Sequence, residues 1–425
     1  MVFKNMELGQ IASITKLAGY EFTKDIQYID NGEIIAIRAL NVKNGKLDLS
    51  QTKRISKDVS NKLVRSKLFK NEIVLTYTGS KYGEVALVKE NDKFHLAPNV
   101  CKITVNDNNI TPYYVLLIMQ TSDFKMQLKN YGVGSSQPTI PMKNIRKLQV
   151  AIPSISYQKE VLRIIEPINK KLELNQEIIA NLEELSQTLF KRWFVDFEFP
   201  DENGNPYKSN GGEMVDSELG AIPKGWNVKN LDDIANYMNG LAMQKFKPTD
   251  NQNSLPVVKI KELKNGSTDE NSNRCTSEIP EKALIVDGDI IFSWSATLLV
   301  KMWCGGKAGL NQHLFKVSSD KYPKWFYYYW TKRYIDYFIG IANDKATTMG
   351  HINRKHLSHA KILIPNDQTL ERFSRTFDDL LEKELSVSKE SKRLTELRDT
   401  LLPKLMSGEI EIPTDIEVNE DELSI

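Results

Sequence analysis

The sequence predicts a mixed α/β (α+β) chain in which a β-rich domain followed by a long helix occurs twice. Two observations carry this. Residues 140–194 and 352–406 align without a gap at a constant offset of 212, pairing Ile140 with Ile352, Lys143 with Lys355, Arg163 with Arg375, Leu182 with Leu394 and Leu189 with Leu401. A repeat that holds register over so long a stretch is architectural. In each copy a short apolar strand ends in Ile-Pro (Ile152-Pro153, Ile364-Pro365) and a helical pattern follows.

Taken in order, residues 1–153 read as the first domain. Strand-like runs fall at 33–38, 72–77, 84–89 and 100–105, between links rich in Asn, Gly, Lys and Asp. Thr111-Pro112 opens a helix with Val115, Ile118, Met119 and Met126 along one face. Residues 132–137 form a loop, and a last strand at 148–152 is stopped by Pro153.

Residues 154–198 form the first long helix. Val161, Ile165, Ile168, Leu172, Asn175, Ile179, Leu182, Ser186 and Leu189 recur at alternating spacings of four and three, a heptad seam that needs a partner helix. The second copy, 366–408, supplies Phe373, Phe377, Leu380, Val387, Leu394 and Leu401, with Glu384 and Arg398 as interruptions. Asn175 is a polar seam residue able to fix register at some cost in stability. Pro167 is a local conflict, since an interior proline removes a backbone bond and kinks or restarts a helix.

Residues 199–225, rich in Gly, Pro, Asn, Ser and acid, read as a linker. From 226 to 365 the order of the first domain returns: 231–235 echoes 8–12, 258–266 (VKIKELKNG) echoes 37–45 (IRALNVKNG), 288–293 echoes 71–76, and 311–317 falls where 97–103 stood. An acidic tail, 409–425, closes the sequence.

The chain has 425 residues, 40% hydrophobic and 26% charged, enough for two or three domains of ordinary soluble composition. No apolar run approaches the ~20 residues of a membrane span. The start lacks a signal-peptide core, and three unevenly spaced cysteines read as free thiols, so the expected location is cytoplasmic. Net charge is +2, but the tail holds seven acids and no Lys or Arg, which leaves +9 on residues 1–408. That excess is the footprint of a surface that meets phosphate.

Catalytic signatures are missing. No GxxxxGKS/T run occurs, and no Gly-rich turn follows a strand as in dinucleotide or methyl-donor folds. Asn205-Pro206-Tyr207 lacks the second proline of an adenine-methylase motif. Asp287 and Asp289 read as turn residues before a strand, and no nucleophile-base pair is evident. His351, His356 and His359 cluster without Cys or acidic ligands at metal spacing, so no metal is expected. The aromatic run 322–338 could stack bases, but Phe326, Trp330, Tyr334, Tyr337 and Phe338 fit one helical face and read as core.

The loops are the informative part. Thr78, Gly79, Ser80, Lys81 and Tyr82 follow one strand, and Ser293, Trp294 and Ser295 follow its counterpart. Ser135, Ser136, Gln137 and Thr139 precede a strand, as do Thr347, Thr348 and His351 in the second copy. Hydroxyls, amides, glycines and lysines on loops suit phosphate contacts and base-edge readout. Corresponding loops are polar in both halves yet differ in residues, as if one scaffold read two sequences. Further candidates for DNA contact are Arg38, Lys43, Lys143, Lys245, Lys247, Lys259, Lys261, Lys264, Asn311, Gln312, His313, Arg354 and Lys355.

With these residues in place, the chain resembles the specificity (S) subunits of type I restriction-modification systems over almost its whole length. The resemblance rests on GSSQPTIPMKNIRKLQVAIPSISYQKEVLRII at 134–165 and its partner at 346–377, NGLAMQKF at 239–246, WFVDFE at 193–198 and DSELGAIPKGW at 216–226. Pro167, Glu384, Arg398, and Leu370 in place of the first copy's Gln158, depart from the pattern. The resemblance implies two target-recognition domains, each reading half of a bipartite, asymmetric site in double-stranded DNA, and two long helices packed antiparallel as a coiled-coil spacer. A helix of roughly 37 residues is ~55 Å long. It implies two modification (methyltransferase) subunits and restriction (translocase/nuclease) subunits as partners. S-adenosylmethionine, ATP and Mg would be used by those partners, with no cofactor bound by this chain and no catalysis of its own. The alternatives are a self-contained restriction or methylation enzyme, and a structural coiled-coil protein without a DNA role.

Overall fold

The computed structural model describes residues 2–133, 138–248, 253–344 and 350–412. The chain forms two compact units, Met1–Lys170 with Glu396–Ile425 and Lys171–Thr395.

In the first unit, one antiparallel sheet has the order Ala12–Lys16, Val100–Val105, Ile73–Thr76, Val85–Leu87. Another runs Lys53–Ile55, Ile34–Ile37, Phe94–Leu96, Lys67–Leu68, with the two central strands parallel. Lys4–Glu7 pairs antiparallel with Gln149–Ile152. Strand Ile73–Thr76 is buried on both faces, and the two-residue period of a strand splits its side chains. Ile73 and Leu75 join the cluster formed with helix Pro112–Gln120, while Val74 joins Leu68, Leu96 and Val100 on the other side. That arrangement explains an uninterrupted apolar run where alternation would mark a half-exposed strand.

The second unit repeats this topology strand for strand. Asn236–Asn239, Leu314–Ser318, Ile290–Ser293 and Leu299–Met302 form the first sheet. Arg274–Thr276, Ser254–Val258, Ala308–Leu310 and Leu284–Ile285 form the second, again with a parallel central pair, and Asn227–Asn230 pairs with Lys361–Ile364. The fold is therefore mixed α/β with two repeats.

An ion pair is duplicated as well. Lys102 Nζ lies 2.9 Å from Glu72, nearly out of solvent, and Lys316 lies 2.9 Å from Asp289 at the corresponding register position. Lys102 also donates to Lys67 O, and Lys316 to Leu284 O, so both ammonium groups find the second partner a shielded charge needs. Asp287 accepts from Gly306 N, so both aspartates of that turn serve structure.

Several local expectations differ from what is observed. The helix opening at Thr111-Pro112 is two helices, Pro112–Gln120 and Ser122–Tyr131, parted at Thr121, and Met126 is exposed. The echo between 37–45 and 258–266 begins in register but diverges. Asn44 and Gly45, both at positive φ, make a two-residue hairpin turn, whereas Gly266 (φ 74°) caps helix Ile260–Asn265. The aromatic run breaks at Tyr334 into helices Lys324–Arg333 and Ile335–Asp344. The first is buried continuously from Trp325 to Thr331, not on one face, while Tyr337 is exposed. Between 199 and 225 lies a hairpin, Met214–Ser217 with Gly220–Pro223, and Phe199 stacks on Tyr207 and Trp226 within the second unit's core.

The long helices are Ile155–Phe194, 40 residues, and Asp367–Ser407, 41 residues. Within the first unit, Tyr157 OH donates to Leu405 O and Arg398 lies 3.5 Å from Asn169; within the second, Asn175 donates to Glu390, and Trp193 packs on Phe373. The two helices are antiparallel in each unit. Ile165, Leu172 and Asn175 are buried on the seam, Ile168, Ile179, Leu182 and Leu189 half-buried. On the facing helix Phe377 and Val387 are buried, Leu380, Leu394 and Leu401 half-buried, and Leu381 takes the buried place expected for Leu380.

Pro167 neither kinks the helix to a stop nor restarts it. Pro167 and Arg163 both lie on the exposed side, so the carbonyl left without its helical partner meets water. Pro167→Ala restores one helical hydrogen bond without touching the core, and is expected to raise unfolding free energy by about 1–3 kcal/mol. Urea unfolding of the full chain measures this; no gain would show that the helix is already relaxed around the ring.

Candidate nucleic-acid interface

The same backbone joint occurs in both units. In the first, the loop after Ile73–Thr76 meets the segment before helix Met142–Arg146. Thr78 bridges Thr139, Gly79 N donates to Pro138 O, and Ile140 N donates to Tyr77 O. In the second, the loop after Ile290–Ser293 meets the segment before helix Arg354–Ser358. Ser295 bridges His351, Ala296 N donates to Gly350 O, and Ile352 N donates to Trp294 O. Two loops far apart in sequence thus form one polar ridge in each unit, fixed by main-chain bonds that do not depend on the side chains displayed.

The side chains differ. In the first unit Ser80, Lys81 and Lys143 are exposed, Thr78, Gly79 and Thr139 half-buried. Tyr82 is turned inward, its hydroxyl donating to Leu128 O, and burial raises its pKa. Gly79 sits at φ 96° with open space around it, so backbone conformation rather than crowding selects glycine there. In the second unit Trp294 packs on Phe315, with the His313 ring 5.9 Å and the His351 ring 6.4 Å away. Trp294 Nε1 and Gln312 Oε1 are buried without a hydrogen-bond partner among the described residues. Ser293 is fully buried and donates to Ser295 O; Asn311 is nearly so and accepts from His313 N.

The other sequence candidates divide. Lys43, Lys245, Lys247, Lys264 and Lys355 are exposed. Arg38 donates to Gln51 O, Lys259 to Asn273, and Lys261 pairs with Asp269, so these three have structural partners. Arg354 donates to Tyr237 O with its guanidinium over the Phe315 ring. Ser135, Ser136, Gln137, Thr347 and Thr348 lie outside the described residues. Of the three clustered histidines, His351 belongs to the ridge and His356 Nδ1 accepts from Asn353 N. Among the described residues no group of three or more His, Cys, Asp or Glu could hold a metal ion.

Sequence reasoning missed three cations beside the first ridge. Lys16, Arg65 and Arg146 line a cleft of about 360 Å³ together with Met142 and Ile14. Lys16 lies over the Tyr77 ring at 5.6 Å, and Arg146 donates to Ile14 O. Arg146 aligns with Ser358 across the offset of 212, so the repeat gives no sign of it.

The type I restriction modification DNA specificity domain matches residues 2–184 and 223–396. The HindI specificity subunit of Haemophilus influenzae is 23% identical, over 96% of this chain and 99% of that protein. The MjaIX specificity subunit of Methanocaldococcus jannaschii is 24% identical, over 97% and 93%. The crystal structure of the type I restriction-modification S subunit from M. genitalium covers 95% of this chain and 96% of its own, with a TM-score of 0.55 at 15% identity, a likeness of fold. With both repeats matched, the chain belongs to the type I restriction modification DNA specificity domain family.

Proposed function

We propose that this chain is the DNA-reading subunit of a type I restriction-modification complex. Each unit reads one half of a bipartite, asymmetric site in duplex DNA. The chain directs adenine methylation by modification subunits and cleavage by restriction subunits, and those partners use S-adenosylmethionine, ATP and Mg. The observation that carries this reading is the ridge built twice on the same main-chain joint but carrying different side chains: Thr78, Ser80, Lys81 and Thr139 in one unit, Trp294, Ser295 and His351 in the other. A shared backbone with unlike loops suits a reader of two different half-sites, because base edges are distinguished by the donors and acceptors offered to them.

The test is to express the full chain with its modification partner in a methylation-free host and map modified adenines across the genome. A motif of two specified halves around an unspecified gap is expected. Methylation or cutting of DNA by the purified chain alone would instead identify a self-contained enzyme.

A further inference from the structure

The two units place a guanidinium at the same point from different sequence positions. Ile14 pairs with Ile103, which pairs with Ile73; Tyr237 pairs with Val317, which pairs with Ile290. Ile14 and Tyr237 are thus equivalent, and their carbonyls accept from Arg146 Nη2 (3.1 Å) and Arg354 Nη2 (2.8 Å). Yet Arg146 ends its short helix and Arg354 begins its own, and at the offset of 212 Arg146 falls on Ser358 and Arg354 on Met142. The arrangement therefore arises by different routes in the two repeats, which a mere remnant of duplication would not require.

Only one N–H of Arg146 is used on Ile14 O, and a guanidinium carries five. No carboxylate pairs with Arg146 or Lys16 among the described residues, and none lines the cleft, although Arg65 pairs with Glu21 at 3.3 Å. The cleft therefore holds a net positive charge beside the polar ridge, with Lys16 resting on Tyr77 at the ridge's base and Met142 on the helix that follows it. Close packing fixes the arginine's position: a Cβ added at Gly9 would come within 2.9 Å of Arg146 Cβ. A cleft with two uncompensated cations and unused N–H donors, open to solvent, has the donor chemistry of an anion site.

We propose that the cleft formed by Lys16, Arg65 and Arg146 binds one backbone phosphate of the DNA half-site read by the first unit, anchoring the ridge against the duplex. This rests on the DNA-reading function above and assigns the cleft a positioning role, since phosphate contacts set register without specifying bases.

The experiment uses the full chain assembled with its modification partner and a duplex carrying the mapped motif. Affinity is measured against salt for wild type, Lys16→Gln, Arg146→Gln and Arg146→Lys, and with single phosphates of each half-site replaced by neutral methylphosphonate. Each glutamine variant is expected to reduce the slope of log affinity against log salt by about 0.9 and to leave the methylated motif unchanged. Arg146→Lys keeps the slope. One methylphosphonate position should weaken wild type several-fold and weaken Arg146→Gln less. Unaltered slopes in both glutamine variants, or a lysine variant as impaired as the glutamine one, would overturn the phosphate site and leave Arg146 a structural tie. Lys16→Gln carries the test if Arg146→Gln fails to fold. A wild-type complex that binds no duplex DNA would instead defeat the underlying function.

Discussion

Phe194→Ala is expected to cost about 3–5 kcal/mol of unfolding free energy. Phe194 is fully buried at the end of the first long helix, with ring centroids of Phe190, Trp226, Trp325, Phe326, Trp330, Phe373 and Phe377 between 4.6 and 6.3 Å away. Large rigid rings on several sides cannot collapse into the space left by a lost benzyl group, so the cavity persists. The loss should fall on the second unit, where all these rings lie. Tyr337→Ala, on the same aromatic run but half exposed, should cost under about 1 kcal/mol. Calorimetry on the full chain resolves the two; equal losses would mean that the buried cluster does not hold the unit together.

Glu384→Gln is expected to stabilise the protein, and only at neutral to alkaline pH. Glu384 occupies the position matching Leu172 and is 6% exposed on the seam of the second long helix. Burial, and then the nearby Glu183, push its carboxyl up to about 7, against a lowering by Lys332. Lys332 already pairs with Glu183 at 3.2 Å and cannot fully compensate a second carboxylate. Because the folded state holds its proton up to about 7 and the unfolded chain releases it near 4.5, folding loses stability as pH rises through that window. The full penalty, ~3 kcal/mol, is present above about pH 7. An uncharged glutamine does not incur it. Wild type and variant should melt together near pH 4.5 and separate by pH 8, the variant higher; a difference independent of pH would show that Glu384 is ionised at little cost.

The repeat of a β-rich domain followed by a long helix was legible in the sequence because apolar runs such as Ile73–Thr76 and the gapless offset of 212 both report burial. Lys53–Ile55 and Lys67–Leu68 were not legible, since two or three residues with a charged side chain carry no period. Glu384 looked like an interruption of the seam yet sits inside it, a choice that charge patterning alone cannot reveal. Leu381 displaced Leu380 because a seven-residue repeat drifts on a helix of 3.6 residues per turn. Of the ridge, the loops were legible from their composition, but their joining was not. Thr78 with Thr139 and Ser295 with His351 are main-chain bridges, and no side chain announces them. Arg146 was invisible for the opposite reason: its counterpart Arg354 enters the same place from another helical position.

The claim that two unlike ridges on one repeated scaffold read two half-sites is tested most directly by exchanging a ridge. Replacing residues 294–296 and 350–352 with their first-unit counterparts, then mapping methylated adenines with the modification partner, isolates the second half-site. The expected motif keeps its first specified half and its gap while the second half changes or loses specificity. An unchanged bipartite motif, or the absence of any motif in the wild type, would contradict it.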